Sequence, residues 1–317
     1  MLGAVADLAA AAVLHARVAA LTPRQKAALV VISGLPAPEG VGGVLVKQWD
    51  TRRPRPSGAI VFVDQEGGNV RSFPQLPPAK AARGVRSTAE AYAAGRAAGA
   101  ALWNAGVGVD LAPVLDTPDG PLGSREFRDP SFGVAFARGL QSGKLGEPPG
   151  SPKSPSTGPR GRTGGSTAGP AACAKHFPGL GSTPVSTDDR PHVDGTVRPR
   201  DLAPFRAAIR AGVRCVMVGN AFYPRFGRFR ASLAPAAYSL LRSLGFRGLA
   251  ITDSLSLVRS APVERWAPQA LRAGADMVLF TSPAHAARAI RGLLPLARAG
   301  VLDDHVARVL ALRDELH

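Results

Sequence analysis

Ala171–Asp194 reads AACAKHFPGLGSTPVSTDDRPHVD: a short apolar run, then a lysine, a histidine, a Phe-Pro-Gly turn, paired acids and a second histidine. An apolar strand that passes directly into a chemically dense loop is the unit from which α/β enzymes build sites. The alternative is a surface loop that happens to carry charge. How often the unit recurs decides between them. Seven other apolar runs end in polar or glycine-rich residues: Ala28–Ser33, Val41–Val46, Ala59–Val63, Val107–Pro113, Gly212–Val218, Gly248–Thr252 and Ala275–Phe280. Alanine-rich segments with helical spacing lie between most of them, at Ala89–Ala105, Leu202–Ala211, Ala236–Leu244 and Ala284–Ala297. Thr22-Pro23 supplies an N-cap and first-turn proline for a helix near the start. Eight such runs alternating with helices predict a parallel sheet with crossover helices. In a chain of 317 residues that count favours a single-domain, closed (β/α)8 TIM-type barrel over an open, doubly wound sheet.

One segment breaks the rhythm. Gly143–Pro170 is nearly all Gly, Pro, Ser, Thr and basic residues, too polar to offset its ordering entropy by burial. It reads as a flexible insertion rather than a linker between domains, because the count of eight needs both of its flanks.

Hydrophobic residues make up 45% of the chain, which places it among globular proteins. The net charge of +16 is mostly arginine and invites a nucleic-acid reading, but the arginines are spread along the chain and no recognition motif accompanies them. The two cysteines, Cys173 and Cys215, fall inside apolar runs without metal-ligand spacing and read as buried free thiols. The N-terminal 21 residues make a poor signal peptide and a fair amphipathic helix, and no run is long enough to span a membrane. A soluble, cytoplasmic protein without nucleic-acid or membrane partners is the expectation.

In a barrel, residues just after the strands share one rim. Those positions hold Asp64-Gln65-Glu66-Gly67-Gly68, Asp116, Lys175-His176, Asn220 and Asp253. A single Asp at a strand end often caps the next helix; five such positions in one register are harder to dismiss. Carboxylates and hydrogen-bonding groups without HExxH or a Cys/His cluster suit glycoside chemistry, in which two carboxyl groups flank the scissile bond. The Gly179-x-Gly181 and Gly139–Lys144 segments fall short of nucleotide-binding fingerprints.

The segments VDQEGGNV (Val63–Val70), DLAPVLD (Asp110–Asp116), SREF..DP (Ser124–Pro130), AKHFPGLGST (Ala174–Thr183), GFRGLAITDSLSL (Gly245–Leu257) and AGADMVLF (Ala273–Phe280) together resemble glycoside hydrolase family 3, nearest to its single-domain bacterial β-N-acetylhexosaminidases. The resemblance implies a (β/α)8 barrel and retaining cleavage of a β-linked sugar through a covalent glycosyl-enzyme, with carbohydrate as partner and no metal or cofactor. It implies Asp253 as the nucleophile, Asp64 as the acid that binds sugar hydroxyls, and Arg125, Lys175 and His176 as substrate-binding residues. The chain departs from the pattern where those hexosaminidases read KHFPGHGDT..DSH. Ser186 and Asp188 replace the Asp and His of the acid/base dyad, and Leu180 and Ser182 replace the preceding His and Asp. Asn220 takes a position often held by histidine. Three readings of the loop stay open: Asp188 or Asp189 is the acid/base, His192 swings in instead, or the barrel binds sugar without turnover.

Overall fold

The computed structural model describes residues 12–142, 169–258 and 262–316. The expected flexible insertion lies, but for Gly169 and Pro170, outside the described residues, as do residues 1–11 of the expected N-terminal helix. Helix α1 is described over residues 12–19. Helix α2 (Pro23–Leu29) starts on Thr22, whose side chain accepts from the Gln25 backbone while the Gln25 side chain accepts from the Thr22 backbone. This reciprocal cap satisfies two donors that a helix start otherwise leaves unpaired.

All eight apolar runs contain a barrel strand. They are β1 (Val31–Ser33), β2 (Gly43–Val46), β3 (Ile60–Val63), β6 (Val109–Asp110), β7 (Ala171–Phe177), β8 (Cys215–Val218), β9 (Leu249–Thr252) and β10 (Val278–Phe280). The parallel sheet runs β10-β1-β2-β3-β6-β7-β8-β9, and an Ile251–Met277 bridge joins its ends into a ring. Strands β6 and β7 pair directly, with Val109 opposite Ala171, so the two sides of the 143–170 segment belong to one sheet. A two-stranded hairpin, β4 (Gln65–Gly67) and β5 (Val70–Arg71), stands on the rim after β3.

The helices are α3 (Thr88–Asn104), α4 (Pro130–Gln141), α5 (Pro199–Arg210), α6 (Pro235–Ser243), α7 (Val263–Ala273), α8 (Pro283–Arg298) and α9 (Asp303–Glu315). Alternation along each strand divides the core into two layers. Ile32, Leu45, Phe62, Met217, Ile251 and Leu279 fill the barrel interior, joined by Val309 and Leu312 of α9. Their neighbours Val31, Val44, Val63, Val216, Ala250 and Val278 face the helices.

Two expectations need correction. Strand β7 runs through Phe177, so Lys175 and His176 are its last turns of pleat rather than residues beyond it. The cysteines are buried, as expected, but they are not free: Cys173 lies opposite Cys215 in the β7–β8 register and the two form a disulfide. Both side chains point into the interior, and neighbouring strands bring them together, which a sequence without register does not reveal.

Helices α3 and α4 pack backbone against backbone. A Cβ on Gly95 or Gly99 would collide with the Phe136 or Leu140 carbonyl, and one on Gly139 with that of Tyr92. Gly99→Ala is therefore expected to destabilise the fold by about 1–3 kcal/mol, read as a lower urea midpoint with an unchanged slope; an unchanged midpoint would show that the helices can separate freely.

Candidate active site

The C-terminal ends of the strands surround a cavity of about 370 Å³ lined by Lys47, Asp64, Arg125, Lys175, His176, Asp188, Asp253 and Ser254. Leu45, Leu111, Met217 and Leu279 line it too, which places it directly above the interior core layer.

Lys175 is only 2% exposed. Its Nζ lies 2.8 Å from Asp64 Oδ1 and 2.6 Å from Glu66 Oε1, and Lys47 Nζ approaches the other Asp64 oxygen at 3.3 Å. Glu66 in turn accepts a bidentate pair from Arg125, Nε to Oε2 and Nη2 to Oε1, both at 2.8 Å. Burial alone would push both carboxyls up, but Lys175, helped by Lys47 at Asp64 and by Arg125 at Glu66, holds them below the usual carboxylate range. The same two acids overcome the burial of Lys175 and raise its ammonium well above the usual lysine value, so it stays charged.

Arg125 is delivered by a 3-10 turn (Gly123–Arg125). Its remaining arm, Nη1, lies 3.6 Å from Asp188 Oδ2, linking this network to the loop after β7. Asp188 is itself anchored where its backbone N–H donates to Ser186 Oγ at 3.1 Å.

His176 Nδ1 lies 2.8 Å from Asp116 Oδ2. Asp116 also accepts from the Leu180 backbone at 2.7 Å and from the His176 backbone at 3.3 Å, so the chain wraps around this one carboxylate. With Nδ1 committed to Asp116, Nε2 is the ring nitrogen left for a ligand. The Lys175–His176 and Phe177–Pro178 peptides are cis.

Asp253 follows β9 directly, and its Oδ1 accepts from the Ser254 backbone at 2.6 Å. Burial pushes its carboxyl up, and the nearby Asp188 charge adds to this, against His176 and Lys175. Beneath the floor, Asp110 is fully buried; its Oδ1 accepts from the Gln65 backbone at 2.9 Å while Oδ2 has no hydrogen-bond partner among the described residues. Burial pushes this carboxyl up to about 8, so it is largely protonated at neutral pH.

Of the seven residues singled out in the sequence, Asp64, Arg125, Lys175, His176, Asp188 and Asp253 share the cavity wall. His192 does not: it stacks on Phe222 with centroids 4.1 Å apart and pairs with Asp194 at 3.2 Å. Glu66 and Asp116 hold rim positions expected from the sequence, where nothing assigns them a role, and Lys47, which the sequence does not single out, follows β2 as Asp64 follows β3. Among the described residues, no group of three or more His, Cys, Asp or Glu side chains could hold a metal ion.

Buried acids with lysine and arginine donors around a cavity at the strand ends of a barrel suit glycoside chemistry. The chain belongs to glycosyl hydrolase family 3: the model of that family's N-terminal domain matches residues 43–312. A β-hexosaminidase from Stenotrophomonas maltophilia is 31% identical over 256 residues, 73% of this chain and 68% of that protein. Among solved structures, a family 3 β-N-acetylglucosaminidase from Paenibacillus sp. superposes with TM-score 0.76 at 26% identity, over 94% of this chain; the chain spans 63% of that longer protein. A β-N-acetylhexosaminidase from Beutenbergia cavernae gives TM-score 0.74 at 25% identity, over 93% of this chain and 99% of that one.

Replacing Lys175 with methionine strands Asp64 and Glu66 without their shared cation. The expected cost is about 3–5 kcal/mol at neutral pH, measured by urea unfolding. Both carboxyls titrate below their unfolded values, so their stabilisation is present above the ordinary carboxylate range and lost as pH falls. The gap between parent and variant should therefore narrow in acid; a gap independent of pH would assign the loss to packing.

Proposed function

We propose that the chain is a retaining hydrolase of a β-linked N-acetylhexosamine or related β-glycoside, with Asp253 as nucleophile and Asp188 as acid/base. The observation that carries this reading is that Asp253, at the end of β9, and Asp188, on the loop after β7, line one cavity. Ionised Asp253 attacks the anomeric carbon as the glycosidic C–O bond breaks, and Asp188 gives its proton to the departing oxygen. Asp188 then takes a proton from water, which attacks the same carbon and releases Asp253. Asp64, Lys175, Arg125 and His176 bind sugar oxygens. Their charged and ring donors are held by Glu66 and Asp116, so little reorganisation accompanies binding. The choice of sugar rests on the names of the hexosaminidase relatives. The stacking of His192 on Phe222 favours Asp188 over His192 as the proton donor.

Asp253→Asn should slow hydrolysis of 4-nitrophenyl β-N-acetylglucosaminide by on the order of 10⁴-fold or more. Parent-like turnover would remove Asp253 from the mechanism. If the parent binds sugars in calorimetry but turns over no member of an aryl β-glycoside panel, the barrel is a sugar-binding protein instead.

Asp188→Asn makes two further predictions. Poor leaving groups should lose on the order of 10²–10⁴-fold in kcat/KM and activated aryl groups far less, because only the former need the proton. The acidic limb of kcat/KM should also move to lower pH, since the Asp188 charge helps to hold the Asp253 carboxyl up. Equal losses on both substrates with an unmoved limb would count against Asp188.

A further inference from the structure

Arg230 has no place in the mechanism above, although it is only 7% exposed and a buried guanidinium is costly unless it is well compensated. Its Nη2 donates to the Pro191 carbonyl at 2.9 Å and its Nη1 to the Asn220 carbonyl at 3.3 Å. The ring of Phe222 lies beneath it, 4.8 Å from Cζ to centroid.

Pro191 belongs to the loop that carries Asp188. The returning arm of that loop is zipped to the segment after β8: the Phe222 N–H donates to the Val193 carbonyl, and the Gly195 N–H to the Phe222 carbonyl, both at 2.8 Å. On the other side of Arg230, Asn220 Nδ2 donates to the Ser254 carbonyl at 3.1 Å, while its Oδ1 accepts from Ser232 Oγ at 2.6 Å. Ser254 is the residue whose backbone N–H holds Asp253. One continuous set of contacts therefore runs from the Asp188 loop through Pro191, Arg230, Asn220 and Ser254 to Asp253.

We infer that Arg230 is a positioning residue that ties the Asp188 loop to the end of β9 and so sets the spacing between the two reacting carboxylates. The inference rests on the roles proposed above for Asp188 and Asp253. A guanidinium suits this task because its fork spans two carbonyls at once, whereas an ammonium offers a point charge. Its charge also favours the ionised form of Asp253. The charged and titratable groups around that carboxylate are Lys175 and His176 of β7, Asp188 of the following loop, and Arg230 of the loop after β8.

Arg230→Met and Arg230→Lys test this in the full chain by amide hydrogen exchange and by pH-dependent kinetics. In Arg230→Met, amides of residues 188–195 and of 253–255 should both exchange faster than in the parent. Its kcat on an activated aryl β-glycoside should fall by on the order of 10²-fold with little change in KM, and the acidic limb should move to higher pH. Arg230→Lys should return the limb to the parent position without restoring kcat; it also carries the exchange comparison if the methionine variant does not fold. Unchanged exchange, or faster exchange in only one of the two segments, overturns the tether whatever the activity. If the parent hydrolyses no glycoside, the proposed function fails, and the exchange comparison alone decides the tether.

Discussion

Lys175 carries a charge into a place that offers it almost no water, and much of the site follows from how that charge is met. Two carboxylates are needed, and they come from different pieces of chain: Asp64 beyond β3 and Glu66 on the rim hairpin. Glu66 would be over-rich in negative charge beside Asp64, and Arg125 answers it with a bidentate pair. The result locks β3, β7 and the turn bearing Arg125 into one arrangement. Removing Lys175 leaves Asp64 with Lys47 and Glu66 with Arg125, each buried acid one cation short, and such a loss costs far more than the network contributes over an apolar filling. The network is thus better understood as a specifier of geometry than as a source of stability.

The barrel was legible because buried parallel strands are short, apolar and bounded, and those boundaries are written in glycine and polar residues. What was not legible depends on register and on loop paths. Cys173 and Cys215 lie 42 residues apart in sequence, and only the pairing of β7 with β8 puts them face to face. Lys175 and His176 look like loop residues in the sequence, although both are buried in β7. Glu66 lies in an acidic, glycine-rich motif that marks its place but not its partners. Its direction is set by the hairpin, where Gln65 turns to the carbonyls of Phe73, Leu76 and Pro77. Asp188 and His192 are four residues apart on one loop, and their sequence spacing carries no sign that Phe222 captures the second.

Beneath this surface sits Asp110, protonated at neutral pH while its neighbours Asp64 and Glu66 are ionised. The opposite shifts have opposite consequences for the folded state. Asp64 and Glu66 contribute stability that drains away as pH falls. Asp110, raised to about 8, contributes stability that is full in acid and drains away as pH climbs from the ordinary carboxylate range towards that value. The two windows meet at the ordinary carboxylate range without overlapping: below it Asp64 and Glu66 lose their contribution, and above it Asp110 loses its own. One neutral acid under a charged floor thus gives the fold an alkaline edge to match its acidic one, with these groups together most stabilising between the two.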